Sequence, residues 1–250
     1  MTIEFLDTTD HMVHGHEGWL EVVPVRASEG GRVQIFFKWG HNMESHGLAR
    51  KEGLKFHAIS PGGERRSLEI SEQKEDCYIV EYTPTEDGIH HLLCENTGYY
   101  VVDKEGKHRR GTLKDYPDAP SASFYRQFSH TTLLVGDASK DSSHPDAMAE
   151  LPFRLVPDSW KALMVGDKIC FSLLEGARKL TDISLDLAYT EKPGGPVIQN
   201  NLHPDEQAHY SLELDPAGCY LLIARKRIPE GEEGVYYDSS LTYTSLIKVE

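Results

Sequence analysis

The chain has 250 residues, enough for one large β domain or two ordinary ones, each able to bury its own core. Its 40 acidic residues outnumber 26 basic ones, for a formal net charge of -14. Such a surface repels phosphate backbones and anionic lipid, which excludes nucleic acid and the membrane surface as natural partners and draws cations instead. No run reaches the roughly 18 consecutive apolar residues of a membrane span, and Met1 to Asp7 lacks the basic and apolar regions of a signal peptide.

In chain order, short runs of β-branched, aromatic and aliphatic residues are cut by Gly, Pro, Asp and Glu turns, and helical periodicity is nearly absent. Strands are predicted over Trp19 to Val25, Val33 to Trp39, Leu54 to Ser60, Cys77 to Thr83, Ile89 to Glu95, Tyr99 to Asp103 and Gln127 to Val135, with short helical turns near Ser121 to Arg126. A hairpin through Pro84 to Gly88 would pair Tyr82 with His90, setting Tyr78, Val80, Tyr82, His90, Leu92 and Cys94 on one face. That register points Cys77 and Cys94 apart and disfavours a disulfide between them. The polar stretch Gly136 to Asp146 has linker composition. Beyond it, strands are predicted over Phe153 to Val156, Lys168 to Leu174, Ser184 to Thr190, Tyr210 to Leu214, Cys219 to Arg225 and Ser240 to Val249. The expected architecture is all-β, with two consecutive sandwich domains at 1–140 and 150–250. The four cysteines form no Cys-x-x-Cys pair, which argues against zinc ribbons and thioredoxin-type chemistry. Reduced thiols among strands are expected, with one disulfide per half as the alternative.

Thirteen histidines are unevenly spread, eight of them within the first hundred residues. Residues two apart in extended chain project to one face, so His14 and His16 can aim both imidazoles at one point, with Gly15 easing the bend. Neutral imidazoles suit nickel, cobalt, copper or zinc, and not the oxygen-seeking calcium or magnesium. His41, in Gly40-His41-Asn42 at a strand end, is the best third ligand, followed by His91 and then by His46 and His130. Adjacent His90 and His91 point apart in a strand, so at most one of them joins a given site. The bland alternative for His14 and His16 is exposed polar chain near a terminus. His14 and His16 followed by Glu21 imitate half of a cupin metal motif, but the flanking glycines and the second half are missing. Both His-Pro-Asp tripeptides, at His144 and His203, read as turns. No nucleophile elbow, phosphate loop, dinucleotide fingerprint or His-Glu-x-x-His helix is present.

The segment from His14 through Trp19-Leu20-Glu21 to Pro24, with Trp39-Gly40-His41, Phe124 to Gly136, Leu151 to Pro157, Pro216 to Arg225 and Tyr237 to Tyr243, resembles the bacterial family catalogued as domain of unknown function 4198. That resemblance implies an exported β-sandwich followed by a transthyretin-like or carboxypeptidase-regulatory-like β domain, associated with nickel and cobalt uptake transporters. Carried over residue by residue, its metal inference reaches His14, His16 and His41. The resulting expectation is a non-catalytic, periplasmic or otherwise extracytoplasmic protein that captures nickel or cobalt for a membrane uptake system, with zinc and copper as other fitting ions. A metal-free sandwich that binds carbohydrate or a partner, through aromatics such as Trp19, Trp39, Tyr99 and Tyr100, is the first alternative. A mononuclear metalloenzyme with Glu17, Glu21 or Glu44 as base is the second.

Overall fold

The computed structural model describes residues 16–136 and 148–249. The first half contains β1 (Glu17–Val23), β2 (Arg26–Ala27), β3 (Val33–His41), β4 (Glu44–Ser45), β5 (Leu54–Ile59), β6 (Arg65–Leu68), β7 (Ile70–Gln73), β8 (Cys77–Tyr82), β9 (Gly88–Val102), β10 (His108–Arg110) and β11 (Ser121–Val135). The second contains β12 (Phe153–Pro157), β13 (Lys168–Glu175), β14 (Arg178–Lys179), β15 (Leu185–Thr190), β16 (Ile198–Leu202), β17 (Tyr210–Glu213), β18 (Gly218–Ile228) and β19 (Asp238–Val249). The described residues form no α-helix, so none is long and apolar enough to cross a membrane.

A ten-stranded sheet runs through both halves in the order β16-β15-β18-β19-β11-β9-β5-β6, with β10 added on β9 and β2 on β11, and its centre is the parallel pairing of β11 with β19. On one face, a smaller sheet ordered β1-β3-β8-β7 covers the first half. On the other, β12, β13, β14 and β17 cover the second. Period-two alternation sorts side chains between these layers. Leu92, Cys94, Leu133 and Val135 enter the first core with Val33, Ile35, Phe37, Val80 and Tyr82, while Leu93 and Phe128 turn the opposite way into the second with Phe153, Leu173 and Tyr243. Strand β1 links the two halves: Leu20 and Val22 belong to the first core, whereas Trp19, 1% exposed, packs on Ala188, Leu221, Ile223 and Leu246.

Three local expectations are corrected. Strands β8 and β9 do not form a hairpin: β8 pairs with β3 and β7, and the chain crosses to the other sheet before β9. The expected one-sided set still points inward, because the two strands face each other across one core. Ser121 to Arg126 is strand, not helical turn, since β11 is a single strand of 15 residues. Ile89 to Glu95 and Tyr99 to Asp103 likewise merge into the 15-residue β9. All four cysteines are free thiols. Most of the polar stretch expected between the halves lies outside the described residues.

Candidate metal centre

Strand β3, Val-Gln-Ile-Phe-Phe-Lys-Trp-Gly-His, alternates cleanly: Val33, Ile35 and Phe37 fill the first core, half-buried Trp39 packs at its edge, and His41 follows on the same face. The pairing of Glu17 with Gly40 and of Gly18 with Trp39, continued by one step, sets His16 opposite His41. After His41 the chain reverses through Asn42 and Met43, whose φ angles of 51° and 64° are those of a two-residue hairpin turn. His41 then pairs with Glu44 and Gly40 with Ser45, and His46 N–H donates to the Trp39 carbonyl over 2.8 Å, so His46 stands across from Trp39. Gly40 is required here, because a Cβ would lie 1.9 Å from the Glu44 carbonyl oxygen.

Cross-strand partners share a face, so His16, His41 and His46 converge at the open end of the first sandwich. Ring centroids lie 4.3 Å apart for His16 and His41, 5.4 Å for His16 and His46, and 5.2 Å for His41 and His46. His16 also stacks on Trp39 at 5.7 Å. One nitrogen from each imidazole lies within 4.8 Å of the others. Nitrogen ligands at about 2.0–2.1 Å from a tetrahedral ion stand roughly 3.4 Å apart. Modest side-chain rotations of the exposed His46 and half-buried His16 and His41 close that difference, and the all-nitrogen donor set fits a transition metal.

Behind the rings sits Glu17, fully buried on the opposite parity of β1, with one carboxylate oxygen 3.9 Å from His41 Nδ1. Its Oε1 accepts from Asn42 N–H at 2.5 Å, and its Oε2 from Arg225 Nη2 at 2.8 Å. Arg225, on β18, also donates to Asp186 on β15, so the second half holds the carboxylate that backs His41. Burial raises the Glu17 pKa to about 7, opposed first by Arg225 and then by Asn42 N–H. The backbone of β1 is fixed from the large sheet: Gln127 Nε2 donates to the His16 carbonyl over 2.9 Å and Thr244 Oγ1 to that of Gly18 over 2.6 Å.

The structure thus joins His16 to His41 and adds His46, which the sequence reading ranked behind His91. The missing signal was the turn: a two-residue reversal at Asn42-Met43 fixes 39 against 46 and hence the face of His46. His14 lies outside the described residues. His91 is no member of this cluster. It faces the second core from β9, with its Nδ1 3.1 Å from His130 Nε2 and its ring 4.5 Å from Trp160. His130 Nδ1 is in turn 3.3 Å from Ser245 Oγ. Full burial, and then the proximity of His91, hold the His130 pKa well below the usual imidazole value.

A family model described as a domain of unknown function, DUF4198, matches residues 13–227. No curated protein matches the chain. Similar solved structures include a DUF4785 family protein from Legionella pneumophila, at 11% identity over 92% of this chain and 56% of that one, with a TM-score of 0.30. A two-domain fibronectin type III segment of chicken tenascin is 12% identical over 92% of this chain and 97% of that one, with a TM-score of 0.24. The Lin-41 filamin domain is 15% identical over 30% of this chain and 74% of that one, with a TM-score of 0.25. The chain thus spans little more than half of the Legionella protein, and likeness at these scores carries no functional argument.

Proposed function

Because the chain belongs to the DUF4198 family, whose description names no activity, we propose its function from the site itself: it captures one transition-metal ion on His16, His41 and His46. The observation that carries this reading is the convergence of three imidazoles on one sheet face through two separate strand pairings. Three protein nitrogens leave coordination positions for water or for a receiving ligand, and the partly exposed rings leave the ion accessible. These features favour capture and release over a closed structural site. The net charge of -14 adds a general attraction for cations.

Nickel or cobalt is the proposed cargo, zinc and copper fit the same donors, and the proposed destination is a membrane uptake system served from outside the cytoplasm. The reading is non-catalytic, and the environment of Glu17 supports that. The carboxylate nearest the rings is buried and already engaged by Arg225 and Asn42 N–H, so it is poorly placed to activate a bound water. Calorimetric titration with Ni²⁺ is expected to show one saturable site per chain, absent from the H41A/H46A variant. Equal binding by that variant would sink the proposal.

A further inference from the structure

A groove lies between the large sheet and the irregular segment 158–167 that joins β12 to β13. Ile89, Leu155, Phe171 and Leu222 give it apolar walls, and it spans about 580 Å³ with its open mouth included. Its floor is of another kind. His130, Thr132 and Ser245 line it as polar neighbours, His130 opposite Ser245 across the pairing of β11 with β19, and His91 stands beside them, opposite Thr132 on β9. The two imidazoles are 0% and 2% exposed, inside a core where apolar side chains would avoid the desolvation cost. Trp160, from the irregular segment, sets its ring nearly perpendicular to both, with centroids 4.5 Å from His91 and 5.6 Å from His130.

The protons on these rings decide what the floor offers. His91 Nδ1 lies 3.1 Å from His130 Nε2, so one of the two donates to the other. Where His91 donates, neutral His130 carries its proton on Nδ1 and donates to Ser245 Oγ over 3.3 Å, which leaves the hydroxyl hydrogen for the groove. Where His130 donates, its Nδ1 accepts from Ser245 instead, which leaves oxygen lone pairs for the groove. Ser245 therefore keeps one hydrogen bond for an occupant in either tautomer, as donor in one and as acceptor in the other. A ligand hydroxyl satisfies both, because it donates and accepts. A carboxylate on this floor would lose its water beside rings that burial keeps neutral, while Lys161 at the mouth is exposed and pairs with Asp167 at 3.2 Å.

Apolar walls with a few converging polar groups are the usual anatomy of a small-molecule site. We propose that this groove binds a small uncharged phenol, its ring between Leu155 and Leu222 against Trp160 and its hydroxyl on Ser245. A phenol combines a flat apolar body, suited to the edge and face contacts that Trp160 and Phe171 make, with a single hydroxyl head. The groove shares no residue with the three clustered imidazoles, so this reading and the metal reading stand or fall separately.

Calorimetric titration of the full, metal-free chain with p-cresol, toluene and p-toluate provides the test, since the three share a body and differ in the head. p-Cresol is expected to bind saturably, about tenfold more tightly than toluene, which lacks the hydroxyl, and than p-toluate, whose charge would be buried. S245A is expected to bring p-cresol to within about threefold of toluene, with the melting temperature held within about 2 °C. W160A is expected to weaken p-cresol and toluene alike. No saturable p-cresol binding, equal affinity for p-cresol and either analogue, or p-cresol binding unchanged in S245A would each overturn the inference.

Discussion

Two groups of histidines sit on opposite sides of the same molecule and meet opposite conditions. His16, His41 and His46 lie where strands end, partly exposed, their nitrogens directed at a common space. His91 and His130 lie mid-strand under Trp160, and the short contact between them uses one nitrogen of each ring. An imidazole whose lone pair is already shared with a neighbouring ring in a buried core is a poor ligand, whereas three partly exposed rings that bring one nitrogen each within 4.8 Å of the others are placed to share a cation. Residue type alone does not separate these groups. Strand parity and distance from the strand end do.

The largest expected effect breaks the comparison at its exposed side. H41A should reduce Ni²⁺ affinity at least 100-fold in a calorimetric titration and leave the melting temperature within about 2 °C, because a half-buried strand-end ring contributes little packing. H130A should do the reverse, keeping one Ni²⁺ per chain and costing about 2–3 kcal/mol in denaturant unfolding, since His91 and Ser245 lose a buried partner. Nickel binding lost in H130A and kept in H41A would invert the assignment.

Next in size is the link between the halves. R225M leaves Glu17 buried without its guanidinium, which pushes its raised pKa further up and leaves the carboxyl protonated at neutral pH, so the cost should be about 1–3 kcal/mol for the lost hydrogen bonds and E17Q added to R225M should change stability little. R225M should also weaken Ni²⁺ about tenfold, as expected when the group orienting a ligating imidazole loses its support. Nickel affinity unchanged in R225M would leave Glu17 a purely structural residue.

The exposed group was partly legible in the sequence, for a local reason. The alternation from Val33 to His41 carries both the core face and the ligand, so one pattern gives the strand and the direction of His41. His46 depends on the exact residues of the reversal, and a shift of one would have turned it away. The buried group was not legible. Strand β11 is covered on both faces and holds Ser123, Gln127, Ser129 and His130 inside, so it shows no clean alternation. Two of these side chains find partners on β19, 115 residues away, Ser123 with Asp238 and His130 with Ser245, and no local pattern announces them. The same parallel pairing makes the central sheet continuous, a feature that reading each half separately cannot reveal.

The smallest effect, and the one that sharpens the contrast most, is in the pH dependence of stability. Burial holds His130 neutral in the fold, with a pKa well below its unfolded value of about 6.5. The unfolded chain therefore binds the extra proton first. The contribution of this group should be level above about pH 6.5 and fall as the pH drops from there toward the folded pKa, at up to about 1.4 kcal/mol per pH unit, opposed by Glu17 and Asp186, whose raised pKa values add stability as the pH falls. His57 and His90, lowered chiefly by their own burial, act in the same direction as His130. Replacing both members of the buried pair in H91L/H130L removes the donor together with its acceptor, so the cost at neutral pH should stay small. The loss of urea midpoint on going from about pH 7 to about 5 should be smaller in H91L/H130L than in the parent chain, because the proton that His130 takes up on unfolding is gone. A loss unchanged in H91L/H130L would show that the buried pair does not govern the acid limb.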